Sequence, residues 1–443
     1  KSTARFYCGI EDSSRSGECS AAIWTNQIFQ IMGILLGILG MYATDLWGIK
    51  ISTRIGTTTN FLGTAIRLVS SLPDTPMEYR MIILHIGNVI MGSSQSFFLV
   101  LAPKIAQFWF PSHERATAHV MSFISNPLGI ALGTIVPTIM INQSHVTKDS
   151  YDFFILNSVF LFLAGFVLIL SLTTKRSSPP TPPSASCTIE TEHPPFFKGI
   201  LICLRNKQFL IQMIPFGISF GLLFSLFLYT DQLCTELGYP ESVTAYASAT
   251  ASIMGGFSSI VLARYIDMTK KLKEAIRYCA LIFAICALVT DCFLRQIVPS
   301  DSTRLYTAIF IGLSAALGMV SIPAYPIGIE LAIETTFPTM EGSSGGCIIT
   351  SGHIIMFIIV FLMDGLRSFR FIYTDYDSLS SIPRLSSNYF LMLDVWVIIA
   401  FISVFVAFKW MNPRYCRIEY ENSVNLQKRL ETSSNAGTPV SKV

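Results

Sequence analysis

Charged residues are scarce in this 443-residue chain. Asp, Glu, Lys and Arg together occupy only 13% of its positions, whereas a typical soluble domain carries about 25%. Apolar residues occupy 51%, and they occur in long blocks rather than at amphipathic spacing. This composition excludes an ordinary water-soluble domain and points to a chain that lies in a lipid bilayer.

The sequence also lacks the motifs of several functional classes. The net charge is only +3 and no basic stripe is present to neutralise phosphates, so no nucleic-acid partner is predicted. The motif G-x4-G-K-[ST] is missing, which leaves ATP-driven pumping without support. The six histidines are scattered, and the ten cysteines show no C-x2-C spacing. We therefore predict no metal site, no cofactor and no enzymatic activity.

Eleven apolar segments approach or exceed the length that a helix needs to cross a bilayer, about 20 residues. They lie at 22–44, 53–72, 81–103, 117–142, 153–173, 208–230, 244–265, 278–297, 305–331, 345–365 and 389–411. The predicted fold class is an all-α integral membrane protein that passes through the bilayer many times.

Lysine and arginine are unevenly divided between the two sides of these segments. The connecting segments of one side, together with the C-terminal tail, hold 19 of them, and those of the other side hold 10. The richer side is expected to be cytoplasmic, which places the C-terminus inside and the N-terminus outside. An extracellular position would allow Cys8 and Cys19 to pair, with two free thiols as the alternative.

These assignments divide the chain into five parts. Residues 1–21 form a polar extracellular leader, and residues 22–173 form an N-terminal half with five helices. Residues 174–207 are a cytoplasmic linker whose run SSPPTPPSAS is too rich in proline to make a packed core and predicts a polyproline-like hinge, which we interpret as a passive linker between the halves. Residues 208–411 form a C-terminal half with six helices, and residues 412–443 form a cytoplasmic tail.

One short polar motif occurs twice. FPSHERATA at 110–118 and FPTMEGSSG at 337–345 each join two apolar segments, 227 residues apart. Transporters often consist of two related halves with the substrate between them. The segment at 208–230 has no counterpart in the first half, because residues 1–21 are polar. We therefore expect that a first transmembrane helix is missing from this sequence and that the complete fold has six helices in each half; a protein with eleven helices is the alternative.

Acid and base recur at equivalent points after two of the segments. Asp45 and Lys50 follow the first segment, and Asp267 and Lys270 follow its repeat, with Asp267 lying 222 residues after Asp45. We interpret them as cytoplasmic latches that pair with neighbouring helix ends in one state and separate in the other. Ordinary positive loop charge is the alternative.

The other latch candidates lie beside the two copies of the repeated motif: Glu114, Arg115, Glu330, Glu334 and Glu341. Glu330 and Glu334 are four residues apart and share one helical face. We expect them to pair with basic residues such as Arg115, and the alternative is that they attract a cation.

Longer motifs resemble a known family. APKIAQFWFPSHERATAHVMSFISNPLGIALG, PIGIELAIETTFPTMEGSSGG and RYIDMTKKLKEA are similar to the feline leukaemia virus subgroup C receptor-related family (solute carrier family 49) of the major facilitator superfamily. WFPSHERATA, SNPLG and PPTPPSA resemble most closely its orphan branch. The similarity spans about residues 22–415 and implies a major facilitator fold of two pseudo-symmetric six-helix bundles. Leu46 stands where the superfamily's latch motif usually has Arg.

Five residues are candidates for lining a substrate cavity: Gln95, Asn126, Phe224, Tyr325 and His353. Polar groups inside a bilayer cost free energy and generally face a cavity or a partner helix. Asn126 and His353 fall at equivalent places in the two halves, near mid-depth, because 353 − 227 = 126. Helix–helix packing is the alternative for Asn126 and Gln95, and a satisfied intramembrane histidine is the alternative for His353. Tyr325 lies between two prolines, which predicts a broken helix and a place for a gate.

The resemblance implies secondary transport of a small organic solute by alternating access. Characterised members of the family transport choline and ethanolamine, and haem export has been attributed to them. An aromatic cage holds a quaternary ammonium well, but the family's cage tyrosine aligns with Phe224, and its glutamines align with Pro127 and His353. A non-transporting receptor or scaffold is the alternative function. The expected partners are the lipid bilayer and a small-molecule substrate, for a monomer in the plasma membrane or an endolysosomal membrane.

Overall fold

The computed structural model describes residues 6–8, 21–141, 149–181, 183, 194–236, 242–296, 303–368 and 387–435. Apart from a helical turn at 6–8, they form fourteen α-helices: α1 (Ala21–Tyr42), α2 (Gly48–Val69), α3 (Met77–Trp109), α4 (Arg115–Phe123), α5 (Ser125–Met140), α6 (Asp149–Leu172), α7 (Phe196–Arg205), α8 (Lys207–Glu236), α9 (Ser242–Thr269), α10 (Leu272–Gln296), α11 (Thr303–Thr336), α12 (Glu341–Ser368), α13 (Ser387–Lys409) and α14 (Cys416–Asn435). Cys8 is disulfide-bonded, whereas its predicted partner Cys19 lies outside the described residues.

Ten helical segments of the described residues are long and apolar enough to cross a membrane. The first, Trp24–Val69, is 46 residues long and includes two of the eleven predicted spans. No loop separates those two spans. Ala43–Trp47 forms a π-helical turn, and Gly48 takes φ 81°, which a residue without a Cβ adopts at little cost. The polar residues therefore lie within a bent helical segment rather than in a loop.

The two halves pack their helices in the same way. In the first half α1 lies on α3, and α2 contacts both α3 and α6; in the second half α9 lies on α11, and α10 contacts both α11 and α13. The contacts between the halves are also related, because α1 packs on α12 while α9 packs on α4 and α5. This arrangement confirms the predicted all-α multi-pass fold.

One helix of the second half has no counterpart among the described residues of the first. Helix α8 packs on α11, α12 and α13, and Gly217, Gly221 and Tyr229 bring it against α12 residues 355–360. The equivalent α5 residues are 128–133, 227 positions earlier. There Leu128 and Leu132 are 47% and 62% exposed, and no described atom lies within 4 Å of an added Cβ at position 129 or 133. The bare face of α5 is defined as residues 128, 129, 132 and 133.

The linker and the tail both contain helices that the sequence did not suggest. The prediction of a wholly hinge-like linker was wrong at its C-terminal end, where α7 buries Phe196, Gly199 and Cys203 against α8 and α12. In the tail, α14 contacts α11 and buries the side chain of Arg417. Both helices are too short or too polar to cross a bilayer, and both cover the end of the bundle that holds the predicted latches, here called the latch end.

Candidate functional site

The first latch is a carboxylate that caps a helix of the opposite half. Asp45 accepts hydrogen bonds from the Gly342 amide at 3.0 Å and from the Ser343 hydroxyl at 2.7 Å, at the start of α12. A Cβ on residue 342 would lie 2.3 Å from the Asp45 Oδ1 atom, so this approach requires glycine. The first-turn amides of a helix have no partner within it and the helix dipole is positive there, which favours a carboxylate cap.

The second latch repeats the arrangement with the halves exchanged. Asp267, near the end of α9, accepts from the amides of Ala116 at 3.1 Å and Thr117 at 2.8 Å, and from the Thr117 hydroxyl at 2.6 Å. These groups begin α4 of the first half. Lys270 lies 3.8 Å from Asp267 and donates to the Ser112 carbonyl at 2.9 Å. Each copy of the repeated motif therefore starts a helix that the other half's aspartate caps, and the latch end is closed.

The bases and glutamates around the first latch differ from the sequence prediction. Lys104 of α3, which was not a candidate, donates to Asp45 at 3.0 Å and lies 3.7 Å from Glu341. Lys50 uses only its backbone amide, which donates to Ser177 Oγ at 3.2 Å, and forms no ion pair with another described residue. Glu114, the counterpart of Glu341, is exposed and lies 3.8 Å from the ring of a neighbouring histidine. Among the described residues, neither Lys50 nor Glu114 forms an ion pair with the opposite half, in contrast to their prediction as latch residues.

A second ionic network at the latch end joins both halves to the tail. Arg417 of α14 donates to Glu334 at 2.7 Å, to Gln107 of the first half at 3.0 Å, and to Glu330. Burial alone would lower the pKa of Arg417, but the carboxylates of Glu334 and Glu330 raise it well above its ordinary value. The guanidinium therefore stays charged and fixes the tail helix between the halves.

Glu330 and Glu334 pair with a basic residue as expected, but the base is Arg417 and not Arg115, the example predicted from the sequence. Arg115 instead donates to Glu421, one turn after Arg417 on α14, at 3.0 Å. The two glutamates have a closer guanidinium in Arg417, which reaches them from the tail. The tail thus contributes one base and one acid to the interface between the halves.

Tyr325 lies at the centre of an aromatic group. Its ring centroid is 4.7–5.0 Å from those of Phe123, Phe216 and Phe220, and Phe220 is 4.6 Å from Phe224. The Tyr325 hydroxyl is buried and has no hydrogen-bond partner among the described residues. A buried hydroxyl without a partner is costly, so this oxygen is available to a ligand.

The predicted break in the helix around Tyr325 was wrong. Helix α11 continues through both Pro323 and Pro326. A proline inside a helix leaves the carbonyl four residues earlier without its usual donor. For Pro323 that carbonyl belongs to Met319, and it accepts from the Ser258 hydroxyl of α9 at 2.7 Å. Tertiary packing therefore supports a helix that its sequence would break.

Three of the five predicted cavity residues line one small cavity. Its walls are formed by Phe123, Asn126, Pro127, Ile130, Phe220, Leu223, Phe224, Phe227, Ser321, Ile322 and Tyr325. Asn126 is the one amide among them and comes from the first half, whereas Phe224 and Tyr325 come from the second. The volume is about 20 Å³, little more than one water requires.

The other two cavity candidates contact each other. Gln95 Nε2 and His353 Nε2 lie 2.5 Å apart, and His353 Nδ1 lies 2.9 Å from the Ile349 carbonyl. A carbonyl only accepts, so Nδ1 carries the proton and Nε2 accepts from the Gln95 amide. This hydrogen bond joins α3 of the first half to α12 of the second. Asn126 and His353 thus occupy equivalent positions but have different surroundings.

Sequence reasoning missed residues whose partners are distant in the chain. Lys104 and Arg417 form ion pairs, Gln107 accepts from Arg417, and Phe220 joins the rings around Tyr325. Lys104 had a usable signal, since it is a lone base near the end of an apolar segment just before the repeated motif. Arg417 and Glu421 also stand four residues apart, a spacing that places both on one helical face. No group of three or more His, Cys, Asp or Glu side chains in the described residues could hold a metal.

Comparison with known proteins agrees with this architecture. The sequence model of the Major Facilitator Superfamily matches residues 20–360. Solute carrier family 49 member A3 of Xenopus tropicalis is 30% identical over 351 residues, which cover 78% of this chain and 70% of that protein. The choline/ethanolamine transporter flvcr2b of Danio rerio is 26% identical over 338 residues, which cover 75% of this chain and 67% of that protein.

Solved structures show the same fold at low sequence identity. The D-xylose–proton symporter superposes with a TM-score of 0.64 at 15% identity, covering 93% of this chain and 92% of the other. The transporter FucP in its outward conformation gives 0.60 at 13% identity, covering 87% and 89%. With the family match over most of its length, the chain belongs to the Major Facilitator Superfamily, within solute carrier family 49, and is a transporter of the alternating-access type.

Proposed function

We propose that the transported solute is a small organic cation and that it binds among the aromatic rings around Tyr325. The observation that carries this proposal is the aromatic cavity itself, in which four phenylalanines and one tyrosine surround a single amide side chain. Ring faces attract a desolvated cation, and the free Tyr325 hydroxyl and Asn126 add polar contacts. Choline and ethanolamine are the first candidates, since relatives 24–26% identical are named choline/ethanolamine transporters.

Substrate entry requires the cavity to enlarge. Its present volume of about 20 Å³ has no room for a choline. The Gln95–His353 hydrogen bond spans the interface that must open, and the walls of the cavity come from both halves. Parting of the halves therefore widens the cavity and breaks this hydrogen bond in the same movement.

Haem is a weaker candidate than choline. A macrocycle is much larger than a quaternary ammonium and needs a greater separation of the two halves. The described walls of the cavity also include no histidine or cysteine to bind its iron. A non-transporting receptor or scaffold is the remaining alternative, and flux measurements distinguish it.

We place the latch end on the cytoplasmic side, with the C-terminus inside. Support comes from the excess of Lys and Arg on that side, 19 against 10. The disulfide at Cys8 agrees with an N-terminus in an oxidising compartment. The membrane is proposed to be the plasma membrane or an endolysosomal one, and the functional unit a monomer.

The test is uptake of labelled choline and ethanolamine by cells that express the complete coding sequence at their surface. We expect saturable uptake that falls at least tenfold in Tyr325→Ala and in the double variant Asn126→Ala/His353→Ala. The control is Tyr278→Ala, which alters a tyrosine on the exposed side of α10 and should leave uptake unchanged. Uptake that is equal in all four proteins contradicts the proposed site. Absence of uptake for both cations, with surface expression intact, contradicts the proposed substrate.

A further inference from the structure

Four basic residues lie together at the latch end, where α2 begins and α6 ends. Lys50 and Arg54 are one turn apart on α2 and share one helical face, and Lys175 and Arg176 follow α6 in the first part of the linker. The Lys50 amide donates to Ser177 Oγ at 3.2 Å, which holds this part of the linker against the start of α2. Lys50, Arg54, Lys175 and Arg176 form the basic patch.

Hydrogen bonds and close packing fix the basic patch between α2 and α6. Arg54 Nη2 donates to the Leu172 carbonyl at 3.1 Å and to the Thr174 carbonyl at 3.4 Å. A Cβ on Gly48 would lie 3.0 Å from Ser177 Oγ, so the linker passes as close to the start of α2 as a glycine allows. The backbone that carries the four bases is therefore held in one arrangement.

The basic patch carries four positive charges that no described acid neutralises. None of its members forms an ion pair within the described residues, whereas Lys104 and Arg417 at the same end each pair with a carboxylate. Asp45, the acid nearest in sequence to Lys50, is occupied by Lys104 and by the start of α12. Arg54 Nε is also buried without a hydrogen-bond partner among the described residues. The patch is therefore open to an anionic ligand.

Exposed apolar residues border the basic patch. Trp47, Ile51 and Leu172 are 43%, 46% and 57% exposed, and Leu172 is the residue whose carbonyl accepts from Arg54. Tryptophan is enriched where the hydrocarbon core of a bilayer meets the headgroups, and long basic side chains near helix ends extend to the same interface. The patch therefore lies at the headgroup level, beside residues that face acyl chains.

We propose that the basic patch binds the headgroup of a phosphoinositide, with the acyl chains of that lipid along Trp47, Ile51 and Leu172. Charge complementarity selects this partner, because clusters of Lys and Arg beside a transmembrane helix attract multiply charged headgroups. A lipid with one net negative charge, such as phosphatidylserine, would leave most of the four bases unpaired. The proposed cytoplasmic position of the latch end agrees with this partner, since the cytoplasmic leaflet carries the anionic lipids.

The test is binding of fluorescent phosphatidylinositol bisphosphate to the purified chain in mixed micelles with phosphatidylcholine, followed by fluorescence anisotropy. We expect saturable binding that is at least tenfold weaker in Lys175→Ala/Arg176→Ala, whose side chains are exposed, and weaker again when Lys50→Ala is added. The matched control is Lys409→Ala/Arg414→Ala, which removes two exposed bases of the same end and should leave binding unchanged. Thermal unfolding without the lipid checks that each variant is folded.

Four outcomes would overturn the proposal. One is a wild-type chain without saturable binding, and another is an equal loss of affinity in the patch variants and the control variant. The third is competition by soluble inositol trisphosphate as strong as that by the unlabelled lipid, which would make the patch a site for a free phosphate compound. The fourth is equal displacement of the probe by phosphatidylserine at the same mole fraction, which would show that the patch recognises negative charge in general.

Discussion

At the scale of single residues, the latch end is held by two kinds of interaction with different energetics. The caps formed by Asp45 and Asp267 are charge-assisted hydrogen bonds to helix starts, and a helix cap contributes about 0.5–2 kcal/mol. The Arg417 network is a buried cluster of charges. Such a cluster adds little net stability over an apolar core, but removing one partner costs about 3–5 kcal/mol because the remaining charges are left buried and unpaired.

Replacement of Arg417 should therefore open the latch end. In Arg417→Ala, Glu330 and Glu334 lose their guanidinium, and we expect the closed state to weaken by about 3–5 kcal/mol. The measurement is the rate at which N-ethylmaleimide alkylates Cys347, which is buried at this interface. We expect at least a tenfold faster rate.

Two variants sharpen this measurement. Arg417→Lys should not restore the slow rate, because an ammonium cannot reproduce the planar fork that reaches three acceptors. Arg414→Ala removes an exposed arginine of the same tail. In this variant Cys347 should be alkylated at the wild-type rate. Equal rates in Arg417→Ala and Arg414→Ala would show that the tail helix does not hold the gate.

The residues that the sequence could predict are those with a repeated counterpart. Asp45 and Asp267 stand at matching places and form matching caps. Lys50 and Lys270 were predicted as a matching pair, yet only Lys270 reaches across the interface. Lys270 stands three residues after Asp267, whereas Lys50 stands five residues after Asp45, so the position equivalent to Lys270 is Gly48. The partners of Lys104 and Arg417 depend on which helices meet, and one chain without its fold does not contain that information.

At the scale of elements, the linker helix α7 has two distinct faces. Phe196, Gly199 and Cys203 are buried against the bundle. Phe197, Leu201 and Leu204 lie on another face and are exposed, with Lys198 and Arg205 beside them. An exposed apolar stripe flanked by bases is typical of a helix that lies in the membrane interface.

Helix α7 should accordingly rest on the bilayer surface. A nitroxide label at Phe197→Cys in proteoliposomes should collide more with oxygen, which concentrates in lipid, than with a water-soluble nickel chelate. A label at Lys198→Cys is the matched control, one residue away on the polar side, and should show the opposite preference. Equal exposure of both labels to the nickel chelate would mean that α7 stands clear of the membrane.

The sequence predicted secondary structure correctly where the chain is apolar, but the prolines suggested breaks that the structure does not show. The apolar spans became helices because every backbone group in a bilayer must be paired within its own segment. The two prolines in α11 suggested a break, but Ser258 supplies the donor that Pro323 removes. The proline-rich linker suggested a hinge, yet it ends in α7, because Phe196 and Cys203 find a groove on the bundle.

At the scale of the whole molecule, the two halves pack their helices alike, but a described helix covers α12 and none covers the equivalent part of α5. Helix α8 covers α12, whereas the bare face of α5 meets no described helix. Close packing against small residues is the usual way for helices to associate in a bilayer. We therefore expect a transmembrane helix to cover the bare face in the protein made from its complete coding sequence.

Substitution of Gly129 tests this expectation. Gly129→Leu should lower the stability of that protein by about 1–3 kcal/mol through overpacking, seen as a lower thermal unfolding temperature in detergent. Gly312→Leu is the control, since residue 312 of α11 also has no described atom within 4 Å of an added Cβ and should face lipid. Equal unfolding temperatures for the two variants would mean that the bare face meets lipid as well.

The exchange of caps between the halves has a consequence for how the two repeats can diverge. Neither half can complete its own motif helix, because the carboxylate for α12 comes from the first half and the carboxylate for α4 comes from the second. A mutation of the aspartate in one half therefore removes the cap of the motif helix in the other half. The two copies of the motif should therefore change together in evolution. Two halves produced as separate polypeptides would still recognise each other, because each half supplies the carboxylate that caps the other half's motif helix.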